Sequence, residues 1–500
     1  MIRRDFCTNS LLAATIGLSK PHLFAPQTST AACALPKFPD APGLTEYVSE
    51  FILRTKYEDI PGGVITLGKK TILDGFGLAL AGSVSVSGPI IRKYLETLGL
   101  CGGMASIIGT KMKVPPRFAA LANGISIHAD DYDDTGSALH LTAPVLPAAF
   151  SLCELGRKSG KDFMLSYHVG VEVESKIGDA LSPRHNENGF HTTGTCGSFG
   201  SVAACAKLHD LNRAQTARAL GLAASQASGL RDNFGTMTKP FHAGHAAECG
   251  VASADLVSMG WTAAEDILEA PLGFYQAEGG TLEPSAIVGR LGKPWVFASP
   301  GDLIKRFPCG TIQQGVMDEM LRLIRENNIK AGDVNIVEIG GNQHNVNTLF
   351  HHRPTTGLEA KFSMEFSVSI LLVEGKAGLS EFTDSVVQRV DVQDMIRRSR
   401  FYVDPGLNKQ ASEGGNLQSI LVESNIIKIH MKDGRVIVGR SGLAKGSPEN
   451  PMSYDEVADK FRRNADFANW PQRKTESVIE KVKWLEYLPD IGDLTASLTI

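Results

Sequence analysis

The sequence has little surplus charge of either sign. Its formal net charge of -4 over 500 residues gives no field to steer nucleic acid or an anionic membrane. Cysteines are few and scattered. Cys7, Cys33, Cys101, Cys153, Cys196, Cys205, Cys249 and Cys309 lack the spacing of a zinc ribbon, a ferredoxin-type cluster or a redox dithiol. This argues against an iron–sulfur centre and leaves most of these thiols as small buried apolar residues. No apolar run is long enough to span a bilayer comfortably. No phosphate-cradling glycine loop, hydride-transfer fingerprint or nucleophile elbow stands out.

What is present is an ordinary globular composition, 43% hydrophobic and 21% charged, in a chain too long for one core. At least two domains are expected. Many of the 51 glycines lie in Ala/Ser/Gly-rich stretches that also look helical, which suggests closely packed helix pairs.

Arg3-Arg4-Asp5-Phe6 precedes an apolar stretch from Leu11 to Leu18 and a polar segment ending in Ala32-Cys33-Ala34. A basic pair, a modest hydrophobic region and small residues in this order read as a twin-arginine export signal over residues 1–36, and hence a periplasmic or exported protein. A frayed cytoplasmic terminus is the alternative.

Residues 44–298 read as mainly helical. Ile65, Ile72, Phe76, Ala79 and Leu80 share one helical face. Asn212 and Gln215 form a capping box, and further helices are expected over 118–128, 145–155, 198–208 and 246–258. After Pro300 the pattern changes. Residues 334–339 alternate as a half-buried strand ended by Gly340-Gly341, and 426–431, an Asp433-Gly434 turn and 435–438 form a hairpin. Helices are expected at 313–327 and 366–379. A Ser453/Glu456 capping box and an amphipathic run over 475–485 return the chain to helix. The expected fold is therefore mainly α with a smaller α+β domain: 37–300 plus 445–500 make the helical domain, and 301–444 the α+β domain.

The densest polar cluster runs from His128 through Asp130, Asp131, Asp133 and Asp134 to Thr135, with His140 beyond. Asp130, Asp131 and Asp134 reproduce the spacing of a magnesium site in helical isoprenoid enzymes. A hydrogen-bond network orienting a histidine or lysine, or a solvated helix end, would use the same residues. His191 enters a Thr/Gly/Ser-rich helix whose backbone amides can meet an anion, although such a histidine is commonly a cap. Lys239 precedes Pro240, which biases its backbone towards extended, and Lys305 stands near Pro308 at the expected domain boundary. Solvated surface lysines are the alternative. His351, His352 and Arg353 add further basic groups.

In order and spacing, the stretches 128–147, 190–200, 229–250, 305–308, 353–366 and 448–461 resemble the MmgE/PrpD family. Its members include 2-methylcitrate dehydratase, cis-aconitate decarboxylase and iminodisuccinate epimerase. The resemblance covers residues 44–485. It implies a helical domain built from N- and C-terminal segments, an α+β lid, a homodimer, and no metal or organic cofactor. Matched motif by motif, the family's pocket residues fall on Asp131, Thr135, His140, His191, Lys239 and Lys305. The pocket tyrosine falls on Phe366, which removes a hydroxyl and argues against decarboxylation of cis-aconitate in particular. A Trp-rich segment of the dehydratase is absent.

The implied function is a lyase or isomerase acting beside a carboxylate of a small di- or tricarboxylic acid. Lys239 and Lys305 would neutralise substrate carboxylates, with Arg353 as a further carboxylate ligand. His140 would move the proton, with His191 as a second acid–base group. Asp131 would orient His140 or substrate, and Thr135 would donate a hydrogen bond. Two rivals are a magnesium-dependent lyase using the aspartate run and an exported carboxylate-binding protein without catalysis.

Overall fold

Helix Gly62–Val84 lies at the centre of the largest core. From Thr71 to Ser83 every residue is buried, so it is enclosed on all sides rather than presenting one apolar face. The computed structural model describes residues 43–136, 139–181, 183–279, 281–412 and 425–500, and the leader-like segment 1–36 lies outside them. Against this helix pack Pro116–His128, Thr142–Gly156 and Gly160–Asp179, and Thr192–Leu208 and Thr238–Ser258 form the next layer on those helices. Among the described residues, no single helix is long and apolar enough to cross a membrane.

Small residues set the closest contacts. Helices Pro116–His128 and Thr238–Ser258 touch through backbone: a Cβ at Gly124 would stand 2.7 Å from Gly244 Cα, and one at Gly244 would stand 2.5 Å from the Leu121 carbonyl. Only glycine fits at that crossing, which brings His128, ending one helix, beside Lys239, opening the other.

Both expected capping boxes form. Asn212 Oδ1 accepts from Gln215 N at 3.0 Å, and Ser453 Oγ accepts from Glu456 N at 3.2 Å. The second starts helix Tyr454–Phe467, whose Phe461 inserts where Gly77 has no side chain; a Cβ there would be 2.8 Å from the ring. Val457, Phe461, Val478, Val482 and Leu494 thus complete the core begun by Leu44, Val48 and Phe76. Lys460 reinforces the join. Its ammonium bonds Asp74 at 2.9 Å and the Tyr132 carbonyl at 2.8 Å, and lies 3.8 Å from the Tyr132 ring centre.

A second core, from Phe307 to Met431, packs helices Thr311–Glu326 and Met364–Glu374 on a four-stranded sheet. The strand order is Ser399–Val403, Val334–Gly341, Ile426–Met431, Val436–Arg440, with the first pair parallel and the others antiparallel. The hairpin turns at Gly434, at φ 90°. The strand runs through Gly340 and ends at Gly341, where a Cβ would be 2.7 Å from the Phe401 ring. Helix Met364–Glu374 stops at Gly375, at φ 69°, short of the expected end. The fold is largely helical with a small α+β part.

Candidate active site

Three chain turns deliver the polar cluster. Helix Pro116–His128 ends at His128, and three residues later Asp131 adopts a left-handed backbone, φ 49°, which aspartate tolerates better than most residues. Helix Thr238–Ser258 starts earlier than expected, so Lys239 is helical rather than extended. Pro240 sits in the first turn, where a missing N–H costs nothing. Lys305, fully buried, comes from the connection between the two cores.

These turns converge on one carboxylate. Lys239 Nζ donates to Asp131 Oδ1, and Lys305 Nζ donates to Asp131 Oδ2 at 3.1 Å and to its carbonyl at 2.9 Å. Lys239 Nζ also reaches His128 Nε2 at 3.0 Å, so His128 accepts there and donates from Nδ1 to Asp133 at 2.9 Å. His140 stands over the same groups. Its Nδ1 is 3.0 Å from Asp133 Oδ2, off the ideal hydrogen-bond direction, and its Nε2 is 3.7 Å from Asp131 Oδ1. The His128 and His140 ring centres are 4.4 Å apart, and His191 lies 6.5 Å from His140. His191 Nδ1 shares a proton with His242 Nδ1 at 3.0 Å. Phe234 and Phe362 stack at 5.5 Å and wall the Lys239 ammonium at 5.1 and 5.3 Å.

Burial decides the protonation states. It pulls His128 down to about 4 despite Asp133, and lowers His140 and, more strongly, His191, with the nearby lysines adding to the effect. Burial opposes charge on Asp131 as well, yet Lys239 and Lys305 overcome it and hold the carboxyl below its ordinary range. Burial likewise lowers Lys239, with Asp131 opposing. The resting cluster therefore combines neutral imidazoles with an aspartate bridging two buried cations.

The other residues named from sequence divide. Thr135 is tied to the Lys305 connection: it exchanges backbone hydrogen bonds with Leu303 at 2.9 and 3.0 Å, and its hydroxyl accepts from Thr311 at 3.1 Å. Arg353 does not join the cluster. It is exposed, and its guanidinium donates to the His352 carbonyl at 2.7 Å. Phe366 is buried edge-to-face on Phe382 in the second core, with ring centres 5.0 Å apart. His128, Asp133, His242, Phe234 and Phe362 belong to the site without having been assigned a role from sequence. His242 follows Lys239 by three residues on one helix, a spacing that does signal a shared face.

The aspartate run does not act as one magnesium motif. Asp130 meets Ser85 at 2.7 Å and Lys361 at 3.2 Å, Asp131 holds the two lysines, and Asp134 accepts from Thr142 Oγ1 at 2.7 Å. Donor atoms of His128, Asp131, Asp133 and His140 do lie within 4.8 Å of one another. Both His128 nitrogens are engaged, however, and two ammonium groups already neutralise Asp131, so this set does not suit a metal ion.

Models of the MmgE/PrpD N-terminal domain and the MmgE/PrpD C-terminal domain match residues 46–285 and 307–484. Cis-aconitate decarboxylase of Homo sapiens is 28% identical over 468 residues, spanning 91% of this chain and 94% of that protein. The Mus musculus protein of the same name is 26% identical over 467 residues, spanning 91% and 93%. Cis-aconitate decarboxylase of Aspergillus terreus is 28% identical over 483 residues, spanning 90% and 95%.

Proposed function

The chain belongs to the MmgE/PrpD family, and from that premise we propose that it is a lyase acting beside a carboxylate of a small tricarboxylic or dicarboxylic acid. One observation carries the reading: Asp131 bridges two buried lysines under a pair of neutral histidines. When a bond from the substrate's α-carbon to carbon dioxide or hydrogen breaks, the electron pair left behind spreads into the neighbouring carboxylate. Fixed cations in a dry setting stabilise that charge most where it grows.

In this mechanism a polyanion takes over lysine contacts that Asp131 holds at rest. Lys239 and Lys305 bind its carboxylates, and His140 Nε2 exchanges the proton at the reacting carbon. Asp133 holds the Nδ1 side of both His128 and His140, and so sets which nitrogen faces substrate. His191, fixed by His242, is the second proton-transfer group. The reaction calls for neither metal nor organic cofactor. Residues 301–444 serve as the lid, two copies form a homodimer, and residues 1–36 direct export by the twin-arginine route.

Cis-aconitate is the first substrate to test, because the relatives carry its decarboxylation in their names. Dehydration and epimerisation are tested beside it. The experiment incubates chelator-treated protein with a panel of di- and tricarboxylates in deuterated water and follows carbon dioxide release, dehydration and exchange by NMR. Reaction at one α-carbon supports the reading. A bound polyacid that stays unchanged and exchanges no hydrogen replaces it with a binding protein.

A further inference from the structure

Two short stretches of chain, 131–135 and 302–305, lie antiparallel and are tied by three rungs. The middle rung is the reciprocal backbone pair of Thr135 and Leu303, at 2.9 and 3.0 Å. The second is Lys305 on Asp131, at 3.1 Å. The third joins two acids: the Asp302 and Asp134 carboxyls face each other within hydrogen-bonding reach, 2% and 1% exposed.

Two carboxylates in dry contact cannot both carry charge, so a hydrogen bond between them needs a proton on one. Asp134 is supplied with donors, from Thr142 N at 3.2 Å and Thr142 Oγ1 at 2.7 Å. Neither Asp302 oxygen has a side-chain donor among the described residues. The proton therefore belongs to Asp302, which donates to Asp134.

The surroundings keep it there. Burial raises both acids, Asp134 to about 7 and Asp302 further. Asp133, Asp74, Glu174 and the Tyr167 hydroxyl all face the pair, and the ammonium groups of Lys305 and Lys460 lie beyond Asp131 and Asp74. Asp302 also borders a cavity of about 200 Å³ with Lys70, Phe297 and Met452, with both of its carboxyl oxygens buried.

We propose that Asp302 is a positioning residue: as a protonated acid it donates to Asp134 and so fixes the segment carrying Lys305 against the loop carrying Asp131. Loss of the proton sets two negative charges against each other, opens the third rung and loosens Lys305. The pairing stands on the fold alone, whereas its effect on turnover rests on the function proposed above.

Asp302→Asn separates the two. An amide donates the same hydrogen bond but does not titrate. Both acids are raised above their unfolded values, so their contribution to stability is full in acid and is lost as pH rises through about 7. The wild-type melting temperature should therefore fall relative to that of Asp302→Asn as pH rises from about 4 through about 7 and beyond. Over the same range the variant should keep a larger share of its optimal kcat/KM than wild type. Asp134→Asn approaches the rung from the other side and should flatten the same profiles. Melting and rate profiles that superimpose on wild type in both variants overturn the proposal. Flattened melting profiles without turnover of any polycarboxylate in wild type leave the pairing standing and reject the proposed reaction.

Discussion

Lys239 and His128 meet at 3.0 Å, ammonium to imidazole, at the ends of two helices that touch through glycine. A cation can lie against a histidine in this way only while the histidine stays neutral, and burial keeps His128 so. The same ammonium neutralises Asp131, so one side chain sets the charge of two others.

Lys239→Ala should therefore weaken polyanion binding more than chemistry. KM should rise roughly 30-fold or more, in line with the about 2–5 kcal/mol typical of a truncated buried charge pair, with a smaller change in kcat. Steady-state kinetics and direct titration check this. Full affinity in the variant rejects the assigned role.

His140→Ala should spare binding and lower kcat by about 10²–10⁴, the usual contribution of a positioned acid–base group. Deuterium exchange into the α-position should fall in parallel. An unchanged rate removes His140 from the mechanism.

The buried imidazoles also set an acid limit. His128 and His168 are both lowered to about 4 by burial, and their unfolded values lie near 6.5. Below 6.5 the unfolded chain takes up protons that the folded protein refuses. Their contribution to stability is thus complete above that pH and is lost as pH falls towards 4, at about 1.4 kcal/mol per unit for each group. Buried acids such as Glu172, raised to about 7, gain stability over the same window, so calorimetry should compare wild type with His168→Gln, whose melting temperature should fall less on acidification than that of wild type. The acid limb of kcat/KM should lie below 6.5 because His140 is lowered too. An acid limb at the ordinary imidazole position contradicts a neutral, buried His140.

Gly244→Ala should damage the site from a distance. Its Cβ would stand 2.5 Å from the Leu121 carbonyl and 2.9 Å from Ile125 N, so the two helices must part. Overpacking of this kind costs about 1–3 kcal/mol. The parting also draws Lys239 away from His128, so both melting temperature and kcat/KM should fall. A variant with wild-type values for both shows that the crossing has slack.

Much of the frame was legible in the sequence because capping boxes, the Asp-Gly turn and helical periodicity are local signals. The capping boxes at Asn212 and Ser453 and the hairpin at Gly434 form where their residues stand. Strand Ser399–Val403 was not read, since its partner is distant in sequence and only the register with Val337–Gly341 defines it. The aspartate run left its readings open for a similar reason. Spacing along the chain suggested one metal motif, but the left-handed turn at Asp131 and buried lysines from elsewhere send each carboxylate to its own partner. Motif resemblance named Asp131, His140, His191, Lys239 and Lys305, which the fold gathers. Arg353 had only its charge and sequence neighbours to recommend it, and it lies outside the cluster. His128 and Asp133 stand in the polar cluster without a role of their own, because a histidine ending a helix looks like an ordinary terminal residue until its two nitrogens are followed.

Phe461 fills the hollow that Gly77 leaves, far along the chain from it. A nascent polypeptide emerging from the ribosome cannot close its principal core until the last helices are synthesised, because long-range closure must precede the contacts that reward it. Until then the apolar residues of Gly62–Val84 lack the partners that the last helices supply. Truncation near the C-terminus would for that reason be felt first as insolubility, before any question of turnover arises.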